Sequence, residues 1–78
     1  MDETEARVLE CFANVFPAVP RESLPRVSQS SVAEWDSVMH VTLLAALAEE
    51  FEIEIDYEAA EDLRSFALVL DYVRNRPA

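Results

Sequence analysis

One serine lies at a position where its hydroxyl group could carry a covalent substituent. Ser37 follows Asp36 and precedes a strongly apolar stretch, residues 38–48, which predicts a helix. A hydroxyl at the start of that helix would face free backbone N–H groups and the positive end of the helix dipole, which favours a phosphate ester. Serine is also a preferred N-cap residue. The position alone therefore leaves two interpretations, a helix cap or an attachment point.

A second chemical possibility comes from His40, three residues after Ser37 and on a neighbouring part of the predicted helix. A serine–histidine pair is the beginning of a hydrolytic site. Such a site also needs a residue that orients the histidine, an oxyanion hole and a substrate cleft, and the sequence supplies none convincingly. We therefore expect no catalytic residues and place His40 on the surface, near whatever Ser37 carries.

An acidic run begins with Glu49 and Glu50, at the end of the same predicted helix, and continues to Asp62. Negative charge there opposes the helix dipole by roughly 0.3–1 kcal/mol per group. No basic residue lies four positions earlier, because Ala45 and Ala46 stand there. The acidic residues at this position indicate either a docking surface for a partner protein or a contribution to solubility. The run lacks the glycine and the ligand spacing of a calcium loop, and we expect no metal site.

The chain has 78 residues, which predicts a single domain over residues 1–78 with a small core. It has 16 acidic and 6 basic residues and a formal net charge of -10. This charge argues against nucleic acid and membrane surfaces as partners and favours proteins with a basic docking patch. Glycine is absent, which excludes phosphate-cradling loops and nucleophile elbows in their usual form.

The single cysteine, Cys11, excludes an internal disulfide and is expected to be a small core residue. The acidic first residues differ from the basic start of a secretory signal, and no apolar run is long enough to span a membrane. We therefore expect a soluble, cytoplasmic and monomeric protein.

The elements that position these residues are predicted to form an all-α, four-helix bundle with three longer helices, one short third helix and a long first loop. Apolar residues at helical spacing predict a first helix that ends before Pro17. The four helices are expected over about residues 3–16, 37–51, 57–62 and 66–75. Residues 53–55 alternate like a strand but have no partner strand, so we expect an extended connection.

Two packing expectations follow from the same pattern. In the second helix, one apolar face is expected to be buried, comprising Val38, Val41, Leu44, Leu47 and Phe51, with Leu43 widening it. In the first loop, regularly spaced apolar residues (Val19, Leu24, Val27 and Val32) are expected to hold the chain on the core, and Trp35 to act as a hydrophobic clasp.

These features together resemble the acyl carrier protein family. Residues 36–38 read Asp-Ser-Val, a long apolar helix follows, and residues 47–55 read Leu-Ala-Glu-Glu-Phe-Glu-Ile-Glu-Ile before a short acidic helix. The resemblance covers essentially the whole chain, and the related peptidyl and D-alanyl carrier proteins share the pattern. In that family, the serine of an Asp-Ser-Leu motif bears 4'-phosphopantetheine through a phosphodiester, and the thiol of this arm holds acyl or aminoacyl groups as thioesters.

The resemblance implies that Ser37 is the attachment site and that the protein is a carrier rather than an enzyme. It implies a phosphopantetheinyl transferase that loads the arm, and acyl-loading and acyl-processing enzymes such as a ligase, an acyltransferase or a ketosynthase. The residues expected to contact these partners are Asp36, Val38, Met39, His40, Thr42, Leu43, Glu49 and Glu50.

The departures from the family pattern concern the second helix. Fatty-acid carriers usually have acidic residues where this chain has Met39, Thr42 and Ala48, and a leucine where it has Val38. A less charged surface predicts dedicated partners in a polyketide-like or other specialised pathway. The alternatives are a peptidyl or D-alanyl carrier with aminoacyl cargo, a non-modified helical adaptor and a small hydrolase.

Overall fold

A computed structural model describes residues 2–75, which form a bundle of four α-helices. The helices are α1 (Glu3–Val15), α2 (Ser37–Phe51), α3 (Tyr57–Asp62) and α4 (Phe66–Arg74). No strand forms within residues 2–75, although an isolated antiparallel bridge joins Ser28 to Ser65. The all-α fold class, the order of the helices and the long first loop are confirmed, and each predicted boundary agrees to within one residue.

Every α-helix begins at a side chain that accepts a backbone N–H three residues further on. The four capping residues are Asp2, Asp36, Asp56 and Ser65. Each cap contributes about 1 kcal/mol, and the three aspartates also place negative charge at the positive end of a helix dipole. The ends of these helices are therefore specified locally, which explains why the sequence pattern located them well.

The core is centred on the aromatic side chains of Phe12 in α1 and of Phe16, which directly follows α1. Phe12 packs against Phe66 and Trp35 with ring centroids 5.0 and 5.6 Å apart, and Phe16 packs against Trp35 at 5.5 Å. Trp35 is 2% exposed, so the expected clasp between the first loop and the core is confirmed. This cluster fixes the segment that leads directly into Ser37.

The first loop is structured along its length. It contains a 3₁₀-helix, Arg21–Arg26. Leu24, Val27 and Val32 are buried, and Val19 is partly buried, so these residues hold the loop on the core as expected.

The buried face of α2 differs from the prediction. Leu43 and Leu47 are completely buried, whereas Val38 and Val41 are 72% and 67% exposed. Almost every residue from 38 to 48 is apolar, so hydropathy does not distinguish the side of α2 that packs on α1 from the side that faces solvent. Leu43 is therefore central to the core rather than at the margin of the buried face.

Within the part of the chain that the structure describes, no helix combines the length and the hydropathy needed to cross a membrane.

Candidate functional site

At the start of α2, one residue caps the helix and a different residue carries the available hydroxyl. The Asp36 carboxylate accepts the backbone N–H of Met39 at 2.9 Å, so Asp36 is the N-cap and Ser37 is the first helical residue. The interpretation of Ser37 as the helix cap is therefore wrong. Ser37 is exposed, and its hydroxyl makes no hydrogen bond to any group in residues 2–75. The hydroxyl is left available for a covalent substituent.

The electrostatics at Ser37 suit an anionic substituent. The first turn of α2 contains no acidic side chain, although the protein is strongly acidic overall. The positive end of the helix dipole lies at the same place and stabilises a nearby negative charge by about 0.3–1 kcal/mol. The helix dipole would thus favour a phosphate ester on Ser37, while the neighbouring Asp36 carboxylate, which is held by the Met39 N–H, carries a charge of the same sign.

The structure places His40 differently from the surface position expected of it. Its Nδ1 accepts a hydrogen bond from Trp35 Nε1 at 2.9 Å, and its Nε2 lies 2.8 Å from the carbonyl oxygen of Ala60. The imidazole and indole rings also stack, with an angle of 29° between their planes. Both ring nitrogens are therefore occupied by groups other than Ser37, and no serine–histidine pair of a hydrolytic site is formed.

A cavity of about 700 Å³ lies between α2 and α3 and reaches Ser37. Its apolar wall is formed by Val41, Leu44, Ala45, Ala48 and Ile55, and its polar lining includes His40, Glu61 and Arg64. A volume of 300–1,000 Å³ is typical of pockets that bind small molecules. The dimensions and the aliphatic lining suit an apolar group that is tethered at Ser37.

The remaining predicted contact residues divide into two groups. Val38, Thr42 and Glu49 are exposed and can meet a partner, as can Asp36. Leu43 is completely buried and cannot be a contact residue in this structure, and Met39 is half-buried with its side chain packed against the core.

Glu50 is exposed but already engaged. Arg7 donates to its carboxylate from Nε at 2.7 Å and to its carbonyl oxygen from a terminal nitrogen at 2.6 Å. The hydrogen bond with Glu50 raises the pKa of Arg7 above its ordinary value, and the guanidinium also lies 4.5 Å from the centre of the Phe51 ring. Glu50 therefore joins α1 to the end of α2, which leaves Glu49 as the freer acid.

Sequence reasoning missed the outward position of Val41, which was expected in the core. Val38, Val41 and Ala45 are all exposed on α2, and we call these three residues the α2 patch. Their spacing of three and four residues places them along one side of the helix. The spacing was visible in the sequence, but nothing there showed which side packs inward.

Cys11 is a core residue, as expected. It is 6% exposed, and burial raises the pKa of its thiol to about 11. At neutral pH the sulfur is therefore held as the unreactive thiol.

Comparison with known proteins finds relatives along almost the whole chain. An acyl carrier protein from Thermosynechococcus vestitus is 39% identical over 72 residues, which cover 92% of this chain and 89% of that protein. An acyl carrier protein from Buchnera aphidicola is 29% identical over 76 residues, covering 97% and 96% of the two chains. The mitochondrial acyl carrier protein of Saccharomyces cerevisiae is 45% identical over 42 residues, covering 54% of this chain and 34% of that protein.

No model of a protein family matches the chain. The 39% identity to the Thermosynechococcus vestitus protein over 92% of this chain is nevertheless sufficient, together with the four-helix fold, to assign the chain to a family. The chain belongs to the acyl carrier protein family.

Proposed function

We propose that this protein carries acyl intermediates as thioesters on a 4'-phosphopantetheine arm attached to Ser37. The observation that carries the proposal is the hydroxyl of Ser37, which is exposed and makes no hydrogen bond within residues 2–75 because Asp36 caps the helix. Membership of the acyl carrier protein family supports the same assignment.

The residues around Ser37 fit such an arm. Its phosphodiester would lie at the start of α2, where the capping Asp36 is followed by a first turn without acidic side chains, and the arm supplies the thiol that forms the thioester. Asp36 holds the first turn so that Ser37 is presented to a phosphopantetheinyl transferase. The aliphatic wall of the cavity, including Val41 and Leu44, shields an apolar acyl chain from water.

The protein acts in this proposal as a carrier and not as an enzyme. His40 has both nitrogens engaged and cannot take a proton from Ser37 in this arrangement. The proposal includes a single monomeric domain, residues 1–78, that works in the cytoplasm with acyl-loading and acyl-processing enzymes such as a ligase, an acyltransferase or a ketosynthase.

The surface of α2 favours a polyketide-like or other specialised pathway over general fatty-acid synthesis. The α2 patch exposes valine side chains beside Ser37, and Thr42 next to it is uncharged. A partner that docks on this surface would contact apolar atoms close to the arm and meet the charge of Glu49 only at the far end of the helix. Such a surface suits a dedicated set of partners.

The test is intact-mass measurement after incubation with coenzyme A and a phosphopantetheinyl transferase of broad specificity. The wild-type protein should gain the mass of one arm, and Ser37→Ala should gain none. Ser30→Ala, which removes another exposed serine, is the matched control and should be labelled like the wild type. An unchanged wild-type mass, or labelling of Ser37→Ala, would overturn the proposal.

A further inference from the structure

We propose that His40 is a positioning residue that holds α3 against the start of α2 and so sets the width of the open cavity beside Ser37. The three groups involved are the Trp35 indole, the His40 imidazole and the Ala60 carbonyl, which we call the His40 clamp. The clamp itself is a property of the folded chain. Its consequence for cargo rests on the proposed function of Ser37.

The partners of His40 specify one tautomer. The indole nitrogen of Trp35 can only donate, so Nδ1 of His40 must be the acceptor in their 2.9 Å hydrogen bond. The carbonyl oxygen of Ala60 can only accept, so Nε2 must carry the proton in the 2.8 Å contact. The clamp therefore requires a neutral imidazole with its proton on Nε2.

The Trp35 end of the clamp is fixed by the core. Trp35 is 2% exposed, and its ring lies 5.6 Å from that of Phe12 and 5.5 Å from that of Phe16. Close packing leaves little room for the indole to turn toward another acceptor. The indole N–H is thus a stationary donor, and His40 is held between it and α3.

The α3 end is held much less strongly by packing. α3 has six residues, and none of them is buried. Within residues 2–75, the contact from His40 to Ala60 is the hydrogen bond that joins α2 to α3. Leu63, which follows α3, is buried, and Ile55, which lies just before it, packs against the core, so the ends of α3 are anchored. The bond from His40 to Ala60 acts between these anchors and sets the distance of the helix itself from α2.

The clamp lies in the wall of the cavity. His40 and Ala60 both line it, and His40 is one helical turn from Ser37, which lines it too. Loss of the bond to Ala60 would free α3 to move outward and would widen the cavity near the attachment point. An acyl chain inside would then become more accessible to water and to partner enzymes.

The chain provides its own reporter, because it contains one tryptophan and one histidine. The experiment uses the unloaded protein and compares the tryptophan emission of the wild type, His40→Ala and His40→Gln at neutral pH. His40→Ala should shift the emission, because the indole N–H of Trp35 loses its acceptor. His40→Gln should keep the wild-type emission, because its amide can accept from Trp35 and donate to Ala60. Identical emission from all three proteins would overturn the proposal.

Hydrogen exchange of backbone amides measures the position of α3 directly. At neutral pH, His40→Ala should exchange its α3 amides about fivefold faster than the wild type, the size expected for one lost hydrogen bond. His40→Gln should restore slow exchange, and the amides of α4 serve as the internal control for global stability. Unchanged α3 exchange in His40→Ala, or equal acceleration in α4, would show that His40 does not position α3.

The link to cargo is tested on protein that carries an octanoyl thioester. Hydroxylamine should cleave the thioester faster in His40→Ala than in His40→Gln or in the wild type. Equal rates in all three proteins would remove the consequence for cargo. Failure of Ser37 to accept the arm would instead contradict the proposed function and leave the fluorescence and exchange results intact.

Discussion

The Asp36 carboxylate accepts a hydrogen bond from the backbone N–H of Met39 at 2.9 Å, and Ser37 lies between these two residues in the chain. Asp36 therefore stabilises the helix start, and the neighbouring hydroxyl is left free to react. Replacing an aspartate cap by alanine typically costs about 1 kcal/mol. Because the Asp36 cap lies next to Ser37, its loss would affect both the stability of the fold and the presentation of Ser37 to the enzyme that loads the arm.

Asp36→Ala should lower the free energy of unfolding by about 1 kcal/mol and slow the loading of Ser37, because the first turn of α2 frays. Urea denaturation and intact-mass time courses measure the two effects. Asp56→Ala removes the equivalent cap of α3 and is the matched control, with a similar loss of stability and loading at nearly the wild-type rate. Equal slowing in both variants would show that general stability alone governs loading.

Docking at the α2 patch should depend more on apolar contact than on charge. Val38→Thr keeps the shape of the side chain but removes a methyl group that is exposed to partners, and should speed dissociation from the natural partner enzyme about fivefold. Glu49→Gln should have a smaller effect, mainly on association, and that effect should shrink with added salt. Surface plasmon resonance gives both rate constants. A larger effect of Glu49→Gln would identify an ordinary charge-docked surface.

Glu52 ends α2 in the left-handed conformation, with φ 54° and ψ 48°, which is unfavourable for a residue with a β-carbon. Glu52→Gly should raise the free energy of unfolding by about 0.5–1 kcal/mol, since glycine adopts this conformation without the steric cost. Glu52→Gln removes the charge but keeps the β-carbon, and should change stability much less. If both variants were stabilised equally, charge rather than backbone conformation would be the cause.

Added salt should stabilise the fold. Arginines form exposed ion pairs with Glu50, Glu10 and Asp2, but 6 basic residues cannot neutralise 16 acidic ones. The Debye length falls from about 30 Å at 0.01 M to about 10 Å at 0.1 M, so repulsion among the remaining charges weakens over that range. The thermal midpoint measured by circular dichroism should therefore rise. A flat or falling midpoint would mean that the ion pairs outweigh the repulsion.

The sequence predicted the elements of this fold better than their packing. Caps such as Asp56 and Ser65 act through bonds to residues three positions away, so the information they carry is local. The orientation of α2 is set instead by α1, which is distant in the chain. An almost uniformly apolar helix has no polar side to reveal that orientation, and this is why Val41 was placed inside.

The candidate site, like the fold, was predictable only where the information in the sequence is local. The position of Ser37 follows from local pattern and from the family resemblance, whereas the role of His40 depends on Ala60, which is 20 residues away. No spacing rule connects these two residues. The burial of Leu43, which was expected to contact partners, likewise depends on packing across the bundle.

The burial of Cys11 bears on the fidelity of acyl transfer. A thioester can pass to any nearby thiolate, and a thiol whose pKa is about 11 is ionised in roughly one molecule in ten thousand at pH 7. The sulfur is also shielded by the core and directed toward the carbonyl oxygen of Ala46. A cargo on the proposed arm therefore meets no competing thiolate from Cys11, the one cysteine of the sequence, and its next destination is decided by the enzyme that docks.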